Sequence, residues 1–173
     1  HRRGLERAKQ VVVLGDGAAW IWALAEEHFP GAIGIVDWFH ASERIWALGR
    51  ALYGKETPKT TAWVEQQLTR LRQGKVRRLV ASWKRLKCGA AAAVVRDEQV
   101  TYFTNQAARM AYHQYRELGL DIGSGMIESA NKSLIAMREK GPGMRWCEPN
   151  AQAVANLRVL LENEQWDAFW EAA

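Results

Sequence analysis

Two cysteines are few for a chain of 173 residues, and Cys88 and Cys147 stand far apart. They share no short-spaced pattern with the four histidines, so a zinc site on the usual ligand spacings is not expected. Free thiols of a cytosolic protein are the default reading. No apolar run approaches the roughly 18–20 residues a membrane span needs, because Glu26, Asp37, Arg50 and others interrupt every candidate. A membrane partner is therefore not expected. The chain opens on His1-Arg2-Arg3, with no initiator Met and no charged-then-apolar signal pattern, so nothing marks it for secretion and a cytoplasmic location is expected. That opening reads as a fragment whose natural start lies upstream, or as a processed terminus. There is no internal repeat, and low complexity is confined to residues 89–93, a small-residue turn or helix start.

What is present is an ordinary folded composition, 48% hydrophobic and 25% charged, long enough for one sizeable core. Nine tryptophans are many for this length; they suit a core, and exposed ones could stack on bases. The net charge of +5 permits a polyanionic partner without requiring one.

Residues 10–14 form a short β-branched run that stops at Gly15-Asp16-Gly17, which predicts a buried strand and a tight turn. Residues 18–28 are Ala-rich helix material broken by Pro30-Gly31, residues 32–37 predict a second strand, and residues 41–53 a second helix. Strand, helix, strand, helix in that order predicts a parallel α/β unit. Beyond Gly54 no alternating pattern occurs, and helices are predicted over about 62–73, 76–87 and 98–118. A turn-rich stretch at 119–125 leads into a helix over 126–138, ended by Gly141-Pro142-Gly143, with two amphipathic segments at 151–162 and 165–170.

Three acids draw attention. Asp16 follows a strand, where open α/β sheets bind ligands, but it could equally cap the next helix. Asp37 and His40 fall at the end of the second strand, on the same edge of a parallel sheet, as a polar cluster or as helix caps. Glu128 stands in a first helical turn, a position the helix dipole favours by about 0.3–1 kcal/mol in any case. Arg70, Arg72, Lys75, Arg77, Arg78, Lys84, Arg85 and Lys87 occur with no acidic residue between them, a solvated face or a nucleic-acid contact.

Taken together, these stretches carry a resemblance. Leu14-Gly15-Asp16-Gly17-Ala18-Ala19-Trp20-Ile21-Trp22, then His28-Phe29-Pro30 and Asp37-Trp38-Phe39-His40-Ala41, resemble bacterial insertion-sequence transposases of the Asp-Asp-Glu, Mutator-like type. So do Gly123-Ser124-Gly125-Met126-Ile127-Glu128-Ser129, Gly143-Met144-Arg145-Trp146 and Ala151-Gln152-Ala153, in order along nearly the whole chain. The resemblance implies a ribonuclease-H-like α/β fold, here partial and lacking its first strands. Residues 1–53 and 119–173 would belong to the catalytic domain, with an all-helical insertion at 54–118 and helices at the C-terminal end.

The resemblance also implies roles. Asp16 becomes the second catalytic Asp and Glu128 the catalytic Glu, both ligands of two Mg²⁺ (or Mn²⁺) ions. Asp37 and His40 become neighbours of the site, and the basic run from Arg70 to Lys87 a clamp on double-stranded DNA, both transposon ends and target. Homo-oligomerisation is left open. The first catalytic Asp belongs on an earlier strand, and no Asp precedes Val11, so the chain alone is expected to be inactive. A non-catalytic DNA-binding remnant or regulator of the same fold is the alternative. An unrelated enzyme using Gly15-Asp16-Gly17 as a phosphate turn lacks the glycine spacing of nucleotide-binding loops.

Overall fold

The structure is a computed structural model that describes residues 5–171, without the side chains of Glu6, Met126 and Ile127. The first four residues, on which the expectation about the chain's start rests, lie outside the described residues. The fold is mixed α/β, mostly helical, with one small parallel sheet. It divides into two compact units, one ending at Ser124 and the other beginning at Gly125. No helix among the described residues is long and apolar enough to cross a membrane.

In the first unit, β1 (Val12–Gly15) and β2 (Ile33–Val36) pair in parallel, with Val12 opposite Ile33 and Gly15 opposite Val36. α1 (Ala19–His28) connects them, and α2 (Trp38–Tyr53) follows. α2 starts three residues before the predicted position because Asp37 caps it, accepting the His40 amide at 3.0 Å. Then come α3 (Pro58–Arg72), α4 (Val76–Lys84), α5 (Ala90–Gln106), a 3₁₀ turn at Ala107–Arg109 and α6 (Tyr112–Glu117). α3 begins earlier than predicted because Thr57 caps it and Pro58 takes its first turn, which needs no amide hydrogen. The predicted helix over 98–118 is two helices, since the chain tightens after Gln106 before α6 resumes.

The helices over 54–118 share one core with the sheet. Ile35 and Val36 from β2 belong to the same buried cluster as Ile45 and Leu48 of α2, Val64 and Leu71 of α3, Leu79 and Trp83 of α4, and Phe103 of α5. Trp83 stands edge-on to Phe103 at 5.0 Å and donates its ring N–H to Gln67 Oε1 at 3.4 Å. Gly49 on α2 is needed for this packing, because a Cβ there would lie 2.6 Å from Val64. Most tryptophans do fill this core or its margin, while Trp20 remains 65% exposed.

The second unit contains α7 (Gly125–Asn131), a wide helical turn at Lys132–Ala136, α8 (Met137–Glu139), α9 (Glu148–Glu162) and α10 (Trp166–Glu171). The wide turn leaves the Ser133 carbonyl open to Arg158 of α9, whose guanidinium donates to it at 2.6 Å. None of this unit's described residues is buried.

Candidate functional site

The parallel pairing sets the geometry of the strand ends. Asp16 follows Gly15 and Asp37 follows Val36, and those two residues are partners across the sheet. Both acids therefore leave the same edge, the carboxyl end of the strands, where α/β sheets place their ligands.

Asp16 is exposed, and its Oδ1 accepts the Ala18 amide at 2.8 Å. This is a local turn contact; the N-cap of α1 is Ala18, with no side-chain cap. The backbone beneath Asp16 is held from α5. The Tyr102 hydroxyl donates to the Asp16 carbonyl at 2.7 Å, and the Gln106 amide donates to the Gly17 carbonyl at 2.9 Å. Gly17 has a φ of 97°, and a Cβ there would meet the Tyr102 ring at 2.8 Å, so no other residue fits this turn without strain. Arg44 of α2 lies over the Tyr102 ring at 3.8 Å, a cation–π contact. Burial pushes the Tyr102 hydroxyl above the usual tyrosine range; Arg44 works against the rise, while Asp16 and Asp37 add to it. Tyr102 thus feels both acids of the strand edge.

Asp37 differs in kind. Its side chain is 1% exposed, and both oxygens are occupied. Oδ1 accepts the His40 amide and lies 3.2 Å from His40 Nδ1, and Oδ2 accepts the Ser124 amide. Burial alone would raise its pKa, but hydrogen bonds from the His40 amide, from Ser124 and from the His40 ring outweigh it and hold the carboxyl below the ordinary range. The Trp38 amide also donates to the Ile122 carbonyl at 2.8 Å. Asp37 therefore ties the end of β2 to the 119–124 segment and caps α2. Asp37 is thus the cap of α2, and His40, the residue expected beside it, lies within hydrogen-bond distance of its Oδ1.

Glu128 lies in the first turn of α7, exposed, in the second unit. Within neither unit do three His, Cys, Asp or Glu side chains form a metal-binding group among the described residues. The basic run sits on α3, α4 and the segment after them. Arg72, Lys75, Arg77, Arg78, Lys84, Arg85 and Lys87 are exposed, and Arg70 is half-buried with Gln67 Oε1 at 3.5 Å. Among the described residues none of the eight is in an ion pair. Arg72 lies over the Trp38 ring at 4.9 Å, which brings one end of the run beside the start of α2.

The residues that sequence reasoning missed are Tyr102, Gln106 and Arg44. Two of them bind backbone carbonyls 86 and 89 positions away, and no spacing pattern encodes that. The one available signal was Gly17, whose place beside Asp16 hints at a close approach. No family model matches the chain, and neither a curated protein nor a solved structure matches it.

Proposed function

We propose that the chain is the C-terminal part of the catalytic domain of a DNA transposase of the Asp-Asp-Glu, Mutator-like type, with a ribonuclease-H-like fold. The substrate is double-stranded DNA, as transposon ends and target, and the compartment is the cytoplasm. The observation that carries this reading is Asp16: an exposed carboxylate on a turn clamped by Tyr102 and Gln106, just past the carboxyl end of a parallel strand. Among the described residues its Oδ1 alone has a hydrogen-bond donor, so the donor set suits a hard cation.

By the resemblance, Asp16 and Glu128 would each be a ligand of Mg²⁺ or Mn²⁺, oxygen donors of the kind these ions take. A pair of such ions supplies an activated attacking oxygen and a stabilised leaving oxygen at a phosphodiester. The chain's own contribution is placement. Tyr102, Gln106 and Gly17 fix the backbone on which Asp16 stands, and Asp37 with His40 fixes the neighbouring strand end.

A second reading keeps the DNA partner and drops the catalysis: a DNA-binding remnant or regulator. The basic surface, none of whose members is ion-paired among the described residues, favours it as much as the first. Strand-joining assays separate them. A chain that carries the third carboxylate should join a transposon end to target DNA in Mg²⁺, and Glu128→Gln should lower the joining rate by about a hundredfold or more, the scale on which electrostatic groups act at such centres. No joining by the unsubstituted protein would leave the non-catalytic reading, and equal joining by both proteins would reject Glu128 as catalytic.

A further inference from the structure

Arg44 carries a charge that its unit does not balance. It stands in the second turn of α2 and is half-buried. Among the described residues no carboxylate forms an ion pair with it. Its hydrogen-bonding and ring contacts are with neutral groups: a terminal N–H lies 3.5 Å from Gln99 Oε1, at the outer limit of a hydrogen bond, and the Tyr102 ring lies beneath it at 3.8 Å. A guanidinium is a rigid fork of N–H donors matched to carboxylate or phosphate oxygens, and these neutral contacts do not satisfy it. Partial burial adds to the cost of leaving such a cation without an anion.

The position of this cation matters as much as its isolation. The Tyr102 hydroxyl donates to the Asp16 carbonyl in an open, solvent-facing contact, so Arg44 stands one ring away from the turn that carries Asp16. Tyr102 senses Arg44, Asp16 and Asp37 together, the cation opposing the two acids. Yet neither acid pairs with Arg44. Asp16 accepts the Ala18 amide, and the Asp37 oxygens are taken by His40 and Ser124. The strand edge therefore keeps an exposed carboxylate and an unpaired guanidinium close together without letting them neutralise each other. A phosphodiester can use both, the carboxylate through a divalent cation and the guanidinium directly.

We infer that Arg44 binds a backbone phosphate of the DNA at the Asp16 edge, its guanidinium held on the Tyr102 ring and its N–H fork donating to the phosphate oxygens. This contact rests on the DNA partner and the role of Asp16 proposed above, and it deepens them. It adds a substrate-binding cation on α2, outside the basic run from Arg70 to Lys87.

The test uses the full chain and a short DNA duplex, with affinity followed by fluorescence anisotropy across a salt series. Arg44→Gln should weaken binding about five- to tenfold and make its salt dependence shallower by about one phosphate contact. Arg44→Lys keeps the charge and loses only the fork, so it should keep the salt slope and cost less than about threefold. Arg50→Gln, at the exposed far end of the same helix, should change neither quantity. Unchanged affinity in Arg44→Gln would overturn the contact. So would weakened affinity at the unsubstituted slope, the pattern of a merely structural arginine, or an equal effect from Arg50→Gln. Thermal unfolding checks that the variants fold; if Arg44→Gln does not, a loss beyond about tenfold in a folded Arg44→Lys overturns the contact. No duplex binding by the unsubstituted chain would remove the DNA partner and this contact together, whereas binding indifferent to Arg44 removes the contact alone. Binding that depends on Arg44 in a protein that joins no strands keeps the contact and removes the catalysis.

Discussion

Asp37 sets the residue-scale expectations. Its pKa is depressed below the ordinary 3.8 in the folded chain, so it stabilises the fold fully above that value and loses the contribution as pH falls through the lower, folded value. Asp37→Asn keeps the size and can still cap α2, but it puts an amide NH₂ where one oxygen accepts a backbone N–H. The expected cost near neutral pH is about 1–3 kcal/mol, the usual penalty for a buried group left unsatisfied. Urea unfolding should show the gap between wild type and variant closing as pH drops below about 4. A gap that stays constant from neutral to strongly acid pH would mean that the carboxylate charge does not stabilise this junction. The position of Asp37 was readable from its sequence, an acid after Ile-Gly-Ile-Val, and so was that of Asp16 after the valine run. Their difference was not. One is buried and fully bonded and the other exposed, because residue 124 reaches the first and α5 reaches only the backbone of the second.

Among the elements, α5 carries the most that the sequence concealed. Its start lies in the Gly89 and alanine stretch that reads as a turn or a helix start, and its end projects Tyr102 and Gln106 onto the turn after β1. The strands themselves were legible because both are short runs rich in Val and Ile, one ended at Gly15 and the other followed by Asp37. The start of α3 carried a signal that composition masks, a capping Thr57 followed by Pro58. Contact between α5 and β1 makes Gly17 a joint. Gly17→Ala should destabilise the first unit by about 1–3 kcal/mol, since alanine at a φ of 97° is strained and its methyl would strike Tyr102. Tyr102→Ala removes the clash but not the strain, so the double variant should lose less in thermal unfolding than the sum of the two single losses. Full additivity of the two substitutions would show that Gly17 and Tyr102 do not act on each other.

At the scale of the molecule, the buried core belongs to the first unit, as do Asp16 and all eight residues of the basic run, while Glu128 belongs to the second. Sequence order brought these groups onto one page through a resemblance, and pattern alone could not show which surface each occupies. The ribonuclease-H-like assignment and the DNA chemistry stand on that resemblance, with the clamped, exposed Asp16 in its support. The direct test of the metal-ligand roles is a change of ligand softness. In a chain that carries the third carboxylate, Asp16→Cys and Glu128→Cys should each abolish strand joining in Mg²⁺, which is held by oxygen ligands, and recover it at least in part in Mn²⁺, which tolerates a thiolate better. Undiminished joining in Mg²⁺ by either variant would contradict the assignment of that carboxylate to the metal.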